Sequence, residues 1–209
     1  MGYYYKLFFF LMILGFVGCK SASIPVVVED DDDEKQTEQQ TQPEEVPQIL
    51  PIQKKYAKIL DISPEKIKNI TLYKFIDSWM DTPYKMGGEN KKGIDCSFFS
   101  QFLYHDVYDR LIERTAEKQF IAPSTDKFVG QQYLREGDLL FFNLQGSEHF
   151  PITHVGVYLG HGYFVHSTAR KSETSGRNGV QISNFKDRHW QRLFVAAGRK
   201  PKQKKGVTQ

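Results

Sequence analysis

Cys96 is the only cysteine outside the first twenty residues of this 209-residue chain. It stands in the stretch GIDCSFFSQFLYHDVY, residues 93–108, where an aspartate precedes it and an aromatic-rich, helix-like pattern follows it. A helix that begins at about Cys96 places the thiol near free backbone N–H groups and the positive end of the helix dipole. Both effects favour the thiolate, which is the nucleophilic form. Cys96 is therefore a candidate nucleophile, and the alternative is a structural thiol packed in the core.

A nucleophilic thiol needs a nearby base, and a histidine from another part of the fold is the usual one. Four of the six histidines read as ordinary surface residues in a helix, a loop, a turn and a polar stretch: His105, His149, His161 and His189. His154 and His166 differ because they lie on adjacent predicted strands that Gly160-His161-Gly162 connects.

The length of this connection decides whether the two histidines can meet. A three-residue loop over 160–162, with Gly162 in a left-handed conformation, pairs His166 with Gly156 and His154 with Thr168. The two imidazoles are then diagonal neighbours on one face of the sheet, roughly 7 Å apart at Cβ and within bridging reach. A two-residue loop puts them on opposite faces.

The three residues together form a nucleophile, a base and an orienting group. His154 takes the proton of Cys96 or pairs with the thiolate as an imidazolium, and His166 orients His154 through its second nitrogen. The alternative is a buried cysteine accompanied by two strand histidines that meet by chance.

Helices come first in the predicted order of elements, and strands follow. Apolar residues in TLYKFIDSWM, residues 71–80, recur at helical spacing, with Thr71 as the expected N-cap and Pro83 as the stop. Residues 84–93 read as a loop. Five short β-type segments follow: GDLLFFN, THVGVYLG, YFVHSTA, GVQISNF and LFVAAGRK. Consecutive strands after helices favour an α+β domain with helices packed on an antiparallel sheet.

The N-terminus reads as an export signal rather than as part of the fold. Residues 1–18 hold one lysine and then about a dozen apolar residues, which is typical of a secretory signal. Gly18-Cys19 resembles a bacterial lipobox, which implies cleavage before Cys19 and lipidation of its thiol. A plain signal peptide or an uncleaved anchor is the alternative. A lipidated Cys19 leaves Cys96 without a disulfide partner in the chain.

Charge is distributed unevenly along the sequence. Residues 29–45 contain nine acidic residues and one lysine in a chain whose net charge is +3. We expect an acidic, disordered tether over 19–50, one folded domain over 51–200 with its core at about 70–199, and a basic, disordered tail over 201–209. A basic domain suits an anionic partner, and charge alone leaves nucleic acid, a membrane surface and a carboxylate-rich polymer open.

The motifs TPYKMGGENKKGIDCS, GDLLFF, HVGVYLGHGYFVH and GVQIS occur in the order seen in the NlpC family of papain-like cell-wall peptidases, and residues 70–199 resemble that family. The resemblance implies a papain-like α+β fold with Cys96 as nucleophile at a helix start, His154 as base and His166 as third member. It also implies that Tyr84, Asp95 and Ser97 line the substrate site.

The implied function is that of a thiol endopeptidase acting on peptidoglycan stem peptides, without a metal, a cofactor or nucleic acid. Together with the lipobox, the chain looks most similar to murein endopeptidase lipoproteins of Gram-negative bacteria, which implies a monomer anchored to the outer membrane and facing the periplasm. Phe98 and Ser100 depart from the family pattern, which has glycine at the first of these positions and a small apolar residue at the second. An acyltransferase or amidase of the same fold and a non-catalytic wall-binding lipoprotein remain alternatives.

Overall fold

The computed structural model describes residues 48–172 and 175–201. The predicted signal (1–18), the lipidation residue Cys19, nearly all of the tether (19–50) and most of the tail (201–209) lie outside the described residues. Within the described ranges, no helix is both long and apolar enough to cross a membrane.

The three long helices precede the five long strands, as expected. The helices are α1 (Pro51–Leu60), α2 (Ile70–Trp79), α3 (Cys96–Tyr108), α4 (Ala116–Ile121) and α5 (Arg188–Leu193). The strands are β1 (Glu89–Asn90), β2 (Gly93–Ile94), β3 (Asp126–Phe128), β4 (Leu139–Phe142), β5 (His154–Gly160), β6 (Tyr163–Thr168), β7 (Gly179–Asn184) and β8 (Phe194–Arg199).

Strands β3 to β8 form one antiparallel sheet in the order β3-β8-β4-β5-β6-β7. The five predicted strands are its five long members, so the expected α+β class is confirmed. Strand β3 and helices α4 and α5 are additional, since each is too short to leave a clear period in the sequence. The predicted loop over 84–93 is wrong in part, because it contains the small hairpin β1–β2.

The main core lies between helices α1–α3 and one face of the sheet. Helix α2 buries Leu72, Phe75 and Ile76, which belong to its predicted apolar stripe. Its N-cap is Asn69, whose side-chain oxygen accepts a hydrogen bond from the N–H of Leu72 at 3.1 Å, so the expected cap at Thr71 is wrong.

A smaller, aromatic cluster lies on the other face of the sheet. Phe142, Phe164, Phe185 and Trp190 pack together there, with Trp190 supplied by helix α5. The ends of β5 and β6 therefore have apolar groups on both sides, which gives the polar side chains on them a water-poor environment.

Candidate active site

Cys96 is the first residue of helix α3, as the sequence predicts, and it is buried. Asp95 is the N-cap, and its Oδ1 accepts a hydrogen bond from the N–H of Phe98 at 2.7 Å. The thiol therefore lies on the first turn of a helix, near backbone N–H groups that the helix itself does not use.

Burial is the strongest influence on the Cys96 thiol, and it raises the pKa to about 11. Hydrogen bonds from the backbone of Val155, Ser97 and Cys96 itself lower the pKa, whereas the negative charge of Asp95 raises it. The backbone groups at the helix start do favour the thiolate, as expected, but desolvation outweighs them and the net pKa is raised rather than lowered. Cys96 is a neutral thiol at rest and needs a base to remove its proton.

The backbone of Val155 fixes where the sulfur lies relative to the sheet. Val155 follows His154 directly at the start of strand β5, so its hydrogen bond to the sulfur places Cys96 beside the beginning of that strand. Within residues 48–172 and 175–201, the sulfur makes no hydrogen bond to either His154 or His166. Such contacts are often long in ligand-free enzymes and shorten when substrate is bound.

His154 and His166 meet on one face of the sheet. Nε2 of His154 lies 2.7 Å from Nδ1 of His166, which confirms the predicted same-face arrangement. The predicted register is confirmed too, because Val157 pairs with Val165 and Tyr158 with Phe164.

The connection between these strands differs from the expected three-residue loop. His161 and Gly162, with φ of 55° and 89°, form a two-residue turn of the kind that suits hairpins. The register shifts between Tyr158 and Gly160, where Gly160, at φ 100°, lies in a β-bulge. The bulge places one extra residue in strand β5 opposite strand β6. The bulge therefore keeps His154 and His166 on the same face of the sheet, whereas a two-residue loop without a bulge would have put them on opposite faces.

Trp190 covers the histidine pair from helix α5. Its ring stacks on His154 at 5.7 Å and 23°, and it meets His166 edge-on at 4.8 Å. No sequence motif pointed to Trp190, because helix α5 had been read as a polar stretch around His189. The only signal in the sequence is a tryptophan five residues after the β-type segment GVQISNF.

Both imidazoles are held neutral by this environment. Burial, followed by the charge of His189, lowers the pKa of His154 to about 4. Burial also lowers the pKa of His166 well below its ordinary value, with further contributions from His154 and His189. If the hydrogen of the neutral His154 ring lies on Nε2 and points at His166, Nδ1 is left as a proton acceptor.

Asp95 and Ser97 belong to a network whose cation the sequence did not reveal. Arg114 donates from Nη2 to Asp95 Oδ2 at 2.9 Å and from Nη1 to Ser97 Oγ at 3.0 Å. Ser97 in turn donates to Asp95 Oδ1 at 3.0 Å, so Ser97 braces the cap and is not the cap itself. The only signal for Arg114 was an isolated cation between two predicted elements.

Phe98 is the residue that departs from the family pattern, and it lies over this network. The Arg114 guanidinium carbon is 3.9 Å from the centre of the Phe98 ring, and Phe102 packs on the same ring at 4.7 Å. Phe98 is half-buried, and its ring is accommodated between Arg114 and Phe102. Ser100 is fully buried, with its hydroxyl donating to the carbonyl of Cys96 at 3.0 Å.

Tyr84 lies on the other side of the helix start. It bridges to Ile94, one residue before the Asp95 cap, and it is half-buried. Burial is the main cause that raises the pKa of its hydroxyl, and the neighbouring acidic groups of Cys96 and Asp95 add to it. The structure thus places Tyr84, Asp95 and Ser97 around the nucleophile candidate. In the described ranges, no group of three or more His, Cys, Asp or Glu side chains is arranged to hold a metal ion.

The chain is similar to known proteins over the part that holds this site. The model of the NlpC/P60 family matches residues 81–199, which include each of the residues discussed above. A probable endopeptidase NlpC homolog of Haemophilus influenzae is 33% identical over 124 residues, covering 59% of this chain and 58% of that protein. The murein DD-endopeptidase MepS/murein LD-carboxypeptidase of Escherichia coli is 32% identical over 121 residues, covering 58% of this chain and 57% of that protein.

A solved structure shares the fold. The crystal structure of an NlpC/P60 family protein from Bacillus cereus superposes with a TM-score of 0.52 at 25% identity, covering 64% of this chain and 40% of that one. The chain matches less than two thirds of the length of each of these three proteins.

Proposed function

We propose, from the premise that the chain belongs to the NlpC/P60 family, that it is a cysteine peptidase that hydrolyses amide bonds in the stem peptides of peptidoglycan. The observation that carries the proposal is the hydrogen-bonded His154–His166 pair beside a buried thiol at a helix start. The relatives named as endopeptidases supply the substrate class.

The first chemical step joins the sulfur to the substrate. Cys96 attacks the carbonyl carbon of the scissile amide while His154 accepts the thiol proton at Nδ1. The tetrahedral oxyanion is stabilised by backbone N–H groups at the start of α3 and by the hydroxyl of Tyr84. Because Cys96 is a neutral thiol and His154 a neutral imidazole at rest, proton transfer accompanies the attack and no resting ion pair is needed.

The remaining steps return the protein to its starting state. His154 gives its proton to the departing amine, and the C–N bond breaks to leave a thioester on Cys96. Water, deprotonated by His154, then attacks the thioester carbonyl, and the released thiolate takes the proton back. His166 stays neutral throughout and orients His154 through the bond between their ring nitrogens.

Asp95, Ser97 and Arg114 form the polar wall that binds the peptide in this proposal. Arg114 keeps about a third of its side chain exposed, at 36%, whereas Asp95 keeps 9%. An accessible guanidinium suits the carboxylates of a stem peptide better than an accessible carboxylate would. Phe98 limits how far Arg114 can move, since the guanidinium packs on its ring.

The N-terminal sequence supports a proposal for the location of the protein. The apolar run in residues 1–18 and the Gly18-Cys19 pair support a lipoprotein anchored through Cys19 to the outer membrane and facing the periplasm. Metabolic labelling with a clickable palmitate tests the anchor: the wild-type chain should take up label, and Cys19→Ala should not. Equal labelling of both would contradict this assignment.

Mass spectrometry of digested sacculi tests the proposed activity. The full chain is incubated with purified sacculi, and the soluble products are compared with those of a boiled sample. Loss of cross-linked dimers with a gain of monomers indicates cleavage of the D-alanine cross-link, whereas shortened monomers indicate cleavage between D-glutamate and diaminopimelate. Unchanged muropeptides would contradict the proposal.

A further inference from the structure

Ser183 contacts the histidine pair at the end opposite to Cys96. Nε2 of His166 lies 3.0 Å from Ser183 Oγ, while Nδ1 of the same ring lies 2.7 Å from His154. The register explains this contact: Ser183 on β7 pairs with Phe164, two residues before His166 on the same face of β6. His166 is fully buried, so both of its ring nitrogens are occupied by protein groups.

His154, His166 and Ser183 form a row of hydrogen bonds, and the position of each hydrogen in this row depends on Ser183. A neutral imidazole carries one N–H, and each contact in the row holds one hydrogen. If Nδ1 of His154 is to accept the thiol proton, its hydrogen must sit on Nε2 and point at Nδ1 of His166. The hydrogen of His166 must then sit on Nε2 and point at Ser183 Oγ, so that the serine accepts.

The opposite order disables the base. If Ser183 donates to Nε2 of His166, the hydrogen of His166 moves to Nδ1 and that of His154 moves to Nδ1, where the thiol proton should arrive. Ser183 is half-buried, which lets its own hydroxyl hydrogen turn to water and leaves the oxygen free to accept. Trp190 packs on both imidazoles and limits the access of water to the bond between them.

We propose that Ser183 is a fourth, positioning member of the site: it accepts a hydrogen bond from His166 and so holds His154 in the tautomer whose Nδ1 is free. The inference rests on the proposed function for its purpose, but the tautomers themselves can be measured without any substrate. Ser183 touches neither the thiol nor the peptide and acts through His166.

Nitrogen NMR of the full chain, labelled with 15N at histidine, tests the inference directly. In the wild type, Nδ1 of both His154 and His166 should give the signal of an unprotonated nitrogen, and both Nε2 atoms that of a protonated one. Signals are assigned with His154→Gln and His166→Gln. Ser183→Ala should shift the pair toward a mixture of tautomers, whereas Ser183→Thr, which keeps the hydroxyl, should retain the wild-type pattern.

Kinetics provide the second arm. Ser183→Ala should lower kcat by about tenfold, with KM unchanged, because it removes one hydrogen bond that orients the base. Ser183→Thr should restore kcat to within about twofold of wild type, a rescue that a packing role would not give. Ser78→Ala, which removes a serine hydroxyl bonded to Phe75 O at 2.7 Å in helix α2, is the matched control and should leave kcat unchanged.

The two arms separate the possible failures. Wild-type tautomers and wild-type kcat in Ser183→Ala would overturn the role of Ser183. If the wild-type chain cleaves no muropeptide, the proposed function fails, and the NMR comparison still decides whether Ser183 sets the tautomer. Because alanine is smaller than serine and the site is half-buried, the variant fits the same space; a thermal melt verifies folding.

Discussion

At the scale of residues, burial determines the protonation of the site. It raises the pKa of Cys96 and lowers that of His154, so both groups are neutral at rest. A neutral nucleophile beside a neutral base avoids placing an ion pair in a water-poor environment, which costs several kcal/mol per ion when it is incompletely compensated. The charges develop only when the substrate carbonyl is attacked.

Phe98 affects binding of the peptide more than the chemical step in this account. Phe98→Ala should raise KM by about two- to fivefold and leave kcat nearly unchanged, because a cation–π contact with Arg114 is lost while Cys96 keeps its surroundings. Steady-state kinetics on a purified muropeptide measures both constants. Phe102→Ala is the control, since that ring packs on Phe98 and has no described contact with Arg114. A fall in kcat at constant KM in Phe98→Ala would contradict this role.

The chemistry at this scale could be predicted from the sequence only in part. Cys96, His154 and His166 were found because a helix start and a hairpin bring them into register, and local sequence encodes both features. Arg114, Ser183 and Trp190 were not found, because each comes from a distant segment. Their role depends on how the segments pack, which no local spacing records. The net direction of the Cys96 pKa was also wrong, since it depends on burial.

At the scale of elements, the loop before strand β5 fixes the start of that strand and therefore the position of His154, its first residue. Asn143 is buried and holds this loop with four hydrogen bonds: its oxygen accepts from the N–H groups of Gln145 and Ser147, and its nitrogen donates to the carbonyls of Ser147 and Phe150. Glu117 on helix α4 adds a bond to the N–H of Ile152 at 2.6 Å. The loop is thus fixed at both ends.

Replacing Asn143 should therefore loosen the start of β5. Asn143→Ala should lower the free energy of unfolding by about 2 kcal/mol or more, since buried backbone groups lose their partners. It should also lower kcat, because His154 directly follows the loop. Asn143→Asp keeps the oxygen that accepts two bonds, but its second oxygen faces the carbonyl oxygens of Ser147 and Phe150 without a hydrogen to donate. Because this charge is also buried, Asn143→Asp should destabilise the protein at least as much as Asn143→Ala in urea unfolding. An unchanged unfolding midpoint in Asn143→Ala would contradict this view of the loop.

The β5–β6 hairpin shows what element-level prediction achieved. Strand positions and the pairing register followed from β-type segments and the glycines between them. The turn itself was predicted incorrectly, because a two-residue turn with a bulge and a three-residue loop give the same parity. Sequence alone could decide which side chains share a face, although not how the chain closes.

At the scale of the whole molecule, helices on one face of the sheet and α5 on the other enclose the histidine pair. The α+β class was predictable because helical and strand periods occupy separate halves of the sequence. Strand β3 at the edge was not, since three residues carry too little pattern. The order of strands in the sheet likewise depends on long-range pairing.

Enclosure of two neutral histidines makes stability depend on pH. In the unfolded chain both histidines have a pKa near 6.5, whereas burial lowers the pKa of folded His154 to about 4 and that of folded His166 well below its ordinary value. In that window the unfolded chain binds more protons, so stability falls as pH falls, by about 1.4 kcal/mol per pH unit for each histidine. Above 6.5 this contribution is constant.

Urea unfolding at a series of pH values between about 7 and 4 measures this effect. His166→Gln removes one of the two histidines, so it should reduce the slope of the unfolding free energy against pH by up to about 1.4 kcal/mol per pH unit. His105→Gln is the control, because 59% of the His105 side chain is exposed. Equal slopes in wild type and His166→Gln would show that the buried pair does not carry the dependence.

The most direct test of the central claim is the cleavage of one purified, cross-linked muropeptide by the wild type and by Cys96→Ala, followed by mass spectrometry. Removing the sulfur should abolish cleavage without altering the fold, since a buried thiol is replaced by a smaller side chain, and Ser78→Ala should cleave like the wild type. The account predicts peptide products from the wild type and none above background from Cys96→Ala. Undiminished product from Cys96→Ala would contradict it.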